Sequence, residues 1–184
     1  MTRILTIGTE EIDFSRTINV TDTILNKPDF NSNVLWGSTM IKYPGNKIGS
    51  SWKNFTSGEF ISKDYRYGVS FTLNRNSRIL EIKDLDSYIR VMKIYSYKKY
   101  ENDNRKTLDF VKISKDYDAF HLTEEAFWQL RMPVGVLYAL DYCDFYSYDA
   151  ESWAIFNLNA INKGSILNHN NVFGYWEVNG YDND

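Results

Sequence analysis

The spacing of apolar residues changes between residues 67 and 95, and this change restricts the fold more than any other feature of the chain. Residues 67–73 alternate apolar and polar side chains, and residues 77–82 are predicted to form a second strand, joined to the first as a hairpin by a turn at 74–76. Residues 85–95 then follow helical spacing, and Asp84 or Asp86 is placed to cap that helix. Strands and helices do not alternate regularly along the chain, so the pattern favours an α+β fold over a doubly wound parallel sheet.

Shorter patterns predict the remaining elements. Strands are expected at 2–8, 34–36, 117–122, 152–158 and 172–178, and short helices around 20–25, after Ser50 or Ser51, at 108–113 and at 123–130. A loop is expected at 37–39, and the apolar run 134–140 is expected to be buried. The longest irregular segment covers residues 42–65, and ordered loops of this length in compact domains are usually functional.

The composition limits the class of protein. The 184 residues suit a single domain, and fourteen Tyr, eleven Phe and five Trp are too many rings for a disordered chain. A formal net charge of -3 gives no general basic surface for nucleic acid. One Cys and two distant His residues predict neither an internal disulfide nor a metal site. The N-terminus does not resemble a signal peptide and no run approaches a membrane span, so a cytoplasmic location is expected.

Two acids, Asp149 and Glu151, stand immediately before the apolar run at 152–158. Acids are depleted in strands, and in an extended chain these two side chains would point to the same side. The alternative is an acidic surface turn. The chain contains no Gly-rich dinucleotide fingerprint, no phosphate-binding loop motif and no serine-hydrolase elbow, which disfavours those three chemistries.

The segment YDAESWAIFNLNAI at residues 148–161 resembles a WDCESxxIFNPDxI signature of small phage and bacterial proteins with an ADP-ribosyltransferase-like fold. Upstream, LDFVKISKDYDAF at 108–120 is similar to the LDFxxLxxDYDGI segment of those proteins, and the run at 78–82 also fits. The resemblance covers residues 34–161 in scattered blocks. It implies a single domain over residues 1–184, a split β-sandwich with peripheral helices, and an NAD cleft between two small sheets.

The resemblance also implies which residues carry the chemistry. Glu151 would be the catalytic residue, a fixed carboxylate that stabilises the positive charge developing on the ribose of NAD. NAD would be a substrate, and no metal is expected. The NAD-binding positions would be Trp36, Ser38, Ser51, Trp52, Tyr67 and Ser152. The chain departs from the family at residues 36–39, where relatives place an Arg or His that holds NAD and this sequence has neither.

Other interpretations remain open for single residues. Ser50 or Ser51 could be only a helix cap, and Trp36 and Trp52 could be only core residues. Phe60 and Tyr65 could line the cleft or pack in the core, and His121 is expected to be structural. Cys143 lacks the electropositive surroundings that activate a thiol.

The first functional hypothesis is an NAD-dependent mono-ADP-ribosyltransferase, acting as a toxin, a phage-defence effector or a phage protein. Its acceptor could be RNA, DNA or protein, and an antitoxin or immunity partner is possible. The cations of the irregular segment could guide a phosphate backbone or could simply be solvated; they are Lys42, Lys47, Lys53, Lys63 and Arg66. The second hypothesis is a binding or inhibitor protein of the same fold without catalysis, and the third is a phage structural protein.

Overall fold

The computed structural model describes residues 1–44, 47–59, 65–99, 101–131 and 135–170. The helices are α1 Ser51–Gly58, α2 Leu85–Tyr95, α3 Phe110–Asp116, α4 Glu124–Arg131 and α5 Gly135–Ala139. The strands are β1 Arg3–Gly8, β2 Thr23–Ile24, β3 Lys27–Pro28, β4 Leu35–Thr39, β5 Ile41–Tyr43, β6 Lys47–Gly49, β7 Tyr67–Thr72, β8 Ile79–Ile82, β9 Ser96–Lys98, β10 Lys106–Leu108, β11 Ala119–Leu122, β12 Ser152–Ile155 and β13 Leu167–Asn170. None of the described helices is long and apolar enough to cross a membrane.

Seven strands form one mixed sheet in the order β13-β7-β1-β4-β12-β11-β8. The pairs are antiparallel except for β11 and β8, which run parallel. This sheet together with the helices confirms the α+β prediction. The strands expected at 2–8, 117–122 and 152–158 and the helices expected at 85–95, 108–113 and 123–130 are present, with shifted ends.

The predicted hairpin between residues 67–73 and 77–82 is wrong, although both strands exist. Strand β7 pairs with β1 and β13, whereas β8 pairs with β11 at the far edge of the sheet. Five strand spacings separate β7 from β8, about 24 Å on a flat sheet. The connecting residues include the turn at 75–76 and are not fully extended. The sheet is therefore not flat, and the end of β7 lies closer to the start of β8 than about 24 Å.

The two faces of the sheet carry different cores. The face that bears Phe120, Leu122 and Ala154 packs against helices α2, α3 and α4 and is called the helix-covered face here. The opposite face bears Leu35, Ile155 and the histidine of β11, and is called the histidine face. It is covered by the partly buried side chains of Ile12, Phe14, Ile18, Leu158 and Ile166.

The segment expected to be helical around 20–25 is instead a small hairpin, made by β2 and β3. Leu25 and Asn26 join the two strands with φ of 47° and 61°, and positive φ at both central residues matches a type I′ turn. The buried Asn26 amide donates to Tyr88 Oη and accepts from the Leu108 amide. This buried amide fixes the position of Lys27, the next residue along the chain.

The predictions for residues 37–39, for helix α1 and for the run 134–140 can be compared with the structure. Residues 37–39 continue strand β4 instead of forming a loop, because they pair with both β1 and β12. Helix α1 begins after Ser50, whose hydroxyl caps it as expected by accepting from the Lys53 amide. In the run 134–140, Leu137 is buried but Val136, Tyr138 and Leu140 are exposed, so the expectation of burial is wrong for most of it. The strand expected at 172–178 lies outside the described residues, as do Phe60, Lys63 and Val134.

Candidate functional site

Glu151 lies directly before β12 and is buried, with 4% of its surface exposed. Its carboxylate is fixed by the end of the neighbouring strand β4. The Thr39 amide donates to Oε2 over 2.8 Å, and the Thr39 hydroxyl donates to Oε1 over 2.7 Å. Both carboxylate oxygens therefore have a hydrogen-bond partner from the protein itself.

A third partner of Glu151 is His121 on β11. The imidazole Nε2 lies 2.7 Å from Glu151 Oε1, and Nδ1 lies 3.0 Å from Glu81 Oε2 on β8. Both ring nitrogens thus face a carboxylate. A neutral imidazole carries one N–H, so two hydrogen bonds of this kind need one extra proton, either on the ring or on a carboxyl group.

The indole of Trp153 completes this network. Its ring stacks on the His121 ring with 3.9 Å between centroids and 13° between planes. Its Nε1–H donates to the Thr39 hydroxyl over 3.0 Å. The side chain of Glu81 is 48% exposed, whereas those of His121 and Glu151 are buried. The network therefore runs from solvent at Glu81 to the buried Glu151. We refer to Glu81, His121, Glu151, Thr39 and Trp153 as the histidine network.

On the helix-covered face, a cavity of about 290 Å³ opens beside β4 and β12. It is called the aromatic cavity here, and the described residues that line it are Ile7, Lys27, Trp36, Gly37, Trp52, Tyr65, Asp149 and Ser152. Aromatic rings, the ammonium of Lys27 and the carboxylate of Asp149 thus meet in a small concave space. Sites for small molecules and cofactors commonly have this character, mostly apolar walls with a few polar groups.

Lys27 is the cation of this cavity. Its Nζ lies 5.4 Å from the Trp36 ring centroid and 5.2 Å from that of Tyr148, within cation–π range. Burial lowers the pKa of the Lys27 ammonium, and the nearby carboxylate of Asp149 opposes that shift. Lys27 and Asp149 therefore place opposite charges next to the aromatic walls.

Ser38 connects the cavity wall to helix α1. Its buried hydroxyl accepts a hydrogen bond of 3.3 Å from the amide of Trp52, in the first turn of that helix. The neighbouring Thr39 holds the carboxylate of Glu151. Two adjacent residues of β4 therefore position Trp52, through Ser38, and Glu151, through Thr39. Ser51 is the first residue of α1 and is partly exposed.

The structure brings some of the expected NAD-binding residues together and separates others. Trp36, Trp52 and Ser152 line one cavity, and the Ser38 hydroxyl accepts a hydrogen bond from the amide of Trp52. Tyr67 begins β7 opposite Gly8, and strand alternation places it on the histidine face, away from the cavity. Glu151 is absent from the described residues that line the cavity, and its carboxylate contacts the histidine network instead.

Asp149 and Glu151 would point to the same side in an extended chain, but the chain is not extended here and their side chains lie on different faces. Asp149 lines the aromatic cavity, whereas Glu151 contacts His121 on the other face. The chain bends at residues 150–151, where the Ser152 hydroxyl donates to the carbonyl of Ala150. The two-residue alternation of an extended strand therefore does not apply here.

The sequence did not predict Lys27 in the aromatic cavity, or Glu81 and Thr39 in the histidine network. Lys27 reaches the cavity through a two-residue turn that has no Gly, so its turn signal is weak. Glu81 and Thr39 meet Glu151 or His121 only because β4, β8, β11 and β12 are neighbours in the sheet. His121 was expected to be a structural histidine, and it has a partner on each nitrogen.

Metal ligands and known relatives give no further assignment. In the described part of the chain, no group of three or more His, Cys, Asp or Glu side chains could hold a metal ion. No family model matches this chain, and neither a curated protein nor a solved structure does.

Proposed function

We propose that this protein is an NAD-dependent mono-ADP-ribosyltransferase with a split β-sandwich, which holds one end of NAD in the aromatic cavity and modifies a macromolecule. The observation that carries the proposal is the convergence of Trp36, Trp52 and Ser152 on that cavity. These residues come from three distant segments, and each is an NAD-binding position implied by the family resemblance.

The size and walls of the cavity suit one half of the dinucleotide. Its volume of about 290 Å³ is near the lower end for ligand sites, so it takes a planar ring and a sugar but not the whole cofactor. The indoles of Trp36 and Trp52 offer faces for stacking. The remainder of NAD would extend outside.

The reaction needs a carboxylate near the ribose. The bond between ribose C1′ and the nicotinamide nitrogen breaks, and nicotinamide leaves with the bonding electrons. The acceptor then bonds to C1′ and releases its proton. Positive charge develops on the ribose in between, and a fixed carboxylate stabilises it.

Two carboxylates compete for this role. Asp149 lines the cavity, whereas Glu151 has both oxygens hydrogen-bonded to Thr39 or His121. We therefore assign the ribose contact to Asp149. Glu151 is assigned as a positioning residue, because it holds Thr39 beside Ser38 and so supports the end of α1 that carries Trp52. The catalytic role of Glu151 implied by the resemblance stays an alternative prediction.

Transfer of label from NAD tests both assignments. The protein is incubated with adenylate-labelled NAD and either cell lysate or RNA, and incorporated label is measured. We expect Asp149→Asn to reduce transfer by about 10²–10³-fold, as for loss of a group that stabilises transition-state charge. Asp141→Asn is the matched control, since Asp141 is exposed and has a φ of 53° that Asn tolerates equally.

The outcomes separate the alternatives. If Glu151→Gln abolishes transfer in a folded protein while Asp149→Asn retains it, Glu151 is the catalytic residue and our assignment of Asp149 is wrong. If no acceptor is labelled and calorimetry detects no NAD binding, the enzyme proposal fails.

The second candidate function is a binding or inhibitor protein of the same fold without catalysis. The 4% exposure of Glu151 and the hydrogen bonds to both its oxygens favour it, together with the absence of Arg and His from residues 36–39. Such a protein would show neither transfer nor NAD turnover. The proposed settings, a toxin or phage-defence effector in the cytoplasm with an antitoxin or immunity partner, apply to the first candidate.

A further inference from the structure

A second cavity on the helix-covered face is lined by cations. Its volume is about 300 Å³, and Arg3, Lys42, Lys47 and His169 contribute to its wall. The described residues that line it include no carboxylate. In a chain with 21 Lys and Arg against 24 Asp and Glu, this is a local concentration of positive charge, and we call it the basic cavity.

The guanidinium of Arg3 is held in place with donors to spare. Its Nη1 donates to the Ser165 carbonyl over 2.8 Å and to the Ser70 hydroxyl over 3.0 Å. Within the described part of the chain, the hydrogen bonds of this guanidinium all involve Nη1, which leaves Nε and Nη2 for a ligand. A guanidinium fixed in this way is suited to bind phosphate oxygens.

His169 lies on the same wall and reports the positive field. Its Nε2 is 2.7 Å from the Ser70 hydroxyl. Burial lowers the pKa of His169, and the charges of Arg3 and Lys53 lower it further. A bound anion would offset those charges, so the cavity favours a negatively charged ligand.

The basic cavity and the aromatic cavity lie on the same face of the sheet, at different positions along β1. Arg3 lines the first and Ile7 lines the second, and residues four apart in a strand are separated by about 13 Å. Leu5 lies between them in an apolar cluster with Met40 and Ile48, which also line the basic cavity. Single-stranded nucleic acid is bound by cations that contact its phosphates and by aromatic rings that stack on its bases, and both kinds of group are present on this face of the sheet.

We propose that the basic cavity binds a phosphate group of a single-stranded nucleic acid, which extends from there toward the aromatic cavity. As the acceptor of ADP-ribose, this strand would present a base near the bound NAD. The acceptor role rests on the proposed function, whereas binding of the strand does not.

Fluorescence anisotropy with a short labelled single-stranded oligonucleotide, in the absence of NAD, tests the proposal. The test variant Lys42→Gln/Lys47→Gln removes two charges from the basic cavity. The control variant Lys83→Gln/Lys93→Gln removes two exposed charges on β8–α2 and preserves the cavity. We expect the slope of log affinity against log salt to become shallower by about 0.7 in the test variant, since the cavity binds one phosphate group and each lost phosphate contact contributes about 0.7. The control should keep the parental slope.

Nuclear magnetic resonance adds a readout at the site itself. The chain has two histidines, so the ring signals of His169 and His121 are assigned with one variant of each. The oligonucleotide should raise the pKa of His169, because its phosphate offsets the field of Arg3 and Lys53.

Equal slopes in the test and control variants would overturn the proposal, as would complete displacement of the strand by pyrophosphate or NAD at matched ionic strength. A protein that binds the strand but transfers no label contradicts the proposed function alone. Transfer to protein without strand binding contradicts this site alone.

Discussion

The two faces of the sheet differ most where β12 begins. On the histidine face, Glu151 is held by Thr39 and His121 in a network that supplies a partner to both of its carboxylate oxygens. On the helix-covered face, its neighbour Ser152 lines an open cavity with Trp36 and Asp149. Residues adjacent in sequence therefore serve different tasks. A fully satisfied buried network favours one fixed arrangement of the strands, whereas the cavity on the other face keeps polar groups available.

The largest expected effect comes from breaking the histidine network at its buried end. Glu151→Ala leaves the His121 ring and the Thr39 amide without their partner, so we expect a loss of about 3–5 kcal/mol in the free energy of unfolding. Urea denaturation measures it. Glu81→Ala removes the exposed end of the network and should cost less than about 1 kcal/mol. Equal losses in the two variants would show that burial does not distinguish the two ends.

The second prediction concerns the strand that supports both faces. A Cβ on Gly37 would lie 2.7 Å from Ile4 Cγ2 and 3.0 Å from the Leu5 carbonyl oxygen. Gly37→Ala must therefore displace β1 from β4, and we expect a loss of about 1–3 kcal/mol in urea denaturation. Gly58→Ala is the control, because nothing lies within 4 Å of its added Cβ. An unchanged midpoint for Gly37→Ala would contradict the tight approach of the two strands.

The third prediction isolates the aromatic cavity. Trp52→Leu removes a stacking face that lines the cavity, and we expect NAD to bind about 10–100-fold more weakly, since stacking on one ring contributes about 1–3 kcal/mol. Isothermal titration calorimetry gives the dissociation constant. Trp128→Leu is the control, since Trp128 is 63% exposed on α4. Equal affinities in the two variants would place NAD elsewhere.

The smallest expected effect separates the two histidines. His121 lies between two carboxylates, whereas His169 lies near Arg3 and Lys53 with its pKa below the ordinary value of 6.5. As pH falls through 6.5, the unfolded chain takes up a proton before His169 does in the folded protein, so stability is lost toward lower pH. His169→Asn removes this contribution. Thermal melts between about pH 7 and pH 5 should show a smaller loss in the variant than in the parent, by under about 1 kcal/mol. If the parent and His169→Asn lose the same stability between these pH values, the buried and positively charged environment assigned to His169 is wrong.

The elements were easier to predict from the sequence than their neighbours in the sheet. Helix α2 followed from apolar spacing and the Asp84 cap, both of which are local signals. The pairing of β7 with β1 and β13, and of β8 with β11, depends on contacts between distant segments. A turn at 75–76 predicts a hairpin from local sequence alone, whether or not the two strands pair with each other. The hairpin prediction was wrong because the turn does not determine which strands pair.

The candidate site shows the same division. Trp36, Trp52 and Ser152 were selected from the resemblance and share one cavity. The separation of Glu151 from that cavity depends on a bend at 150–151, and no Gly or Pro marks it in the sequence. The partners of His121 could not be predicted from the sequence either, because Glu81 is forty residues upstream and Glu151 thirty residues downstream. Sheet order brings them together, and sequence spacing does not reveal it.

The stacked pair of Trp153 and His121 gives the protein an optical reporter. Their rings lie 3.9 Å apart and nearly parallel, so the surroundings of this indole depend on the position of the imidazole. The difference in fluorescence between the parent and Trp153→Phe therefore reports whether the His121 ring stays in place between Glu81 and Glu151.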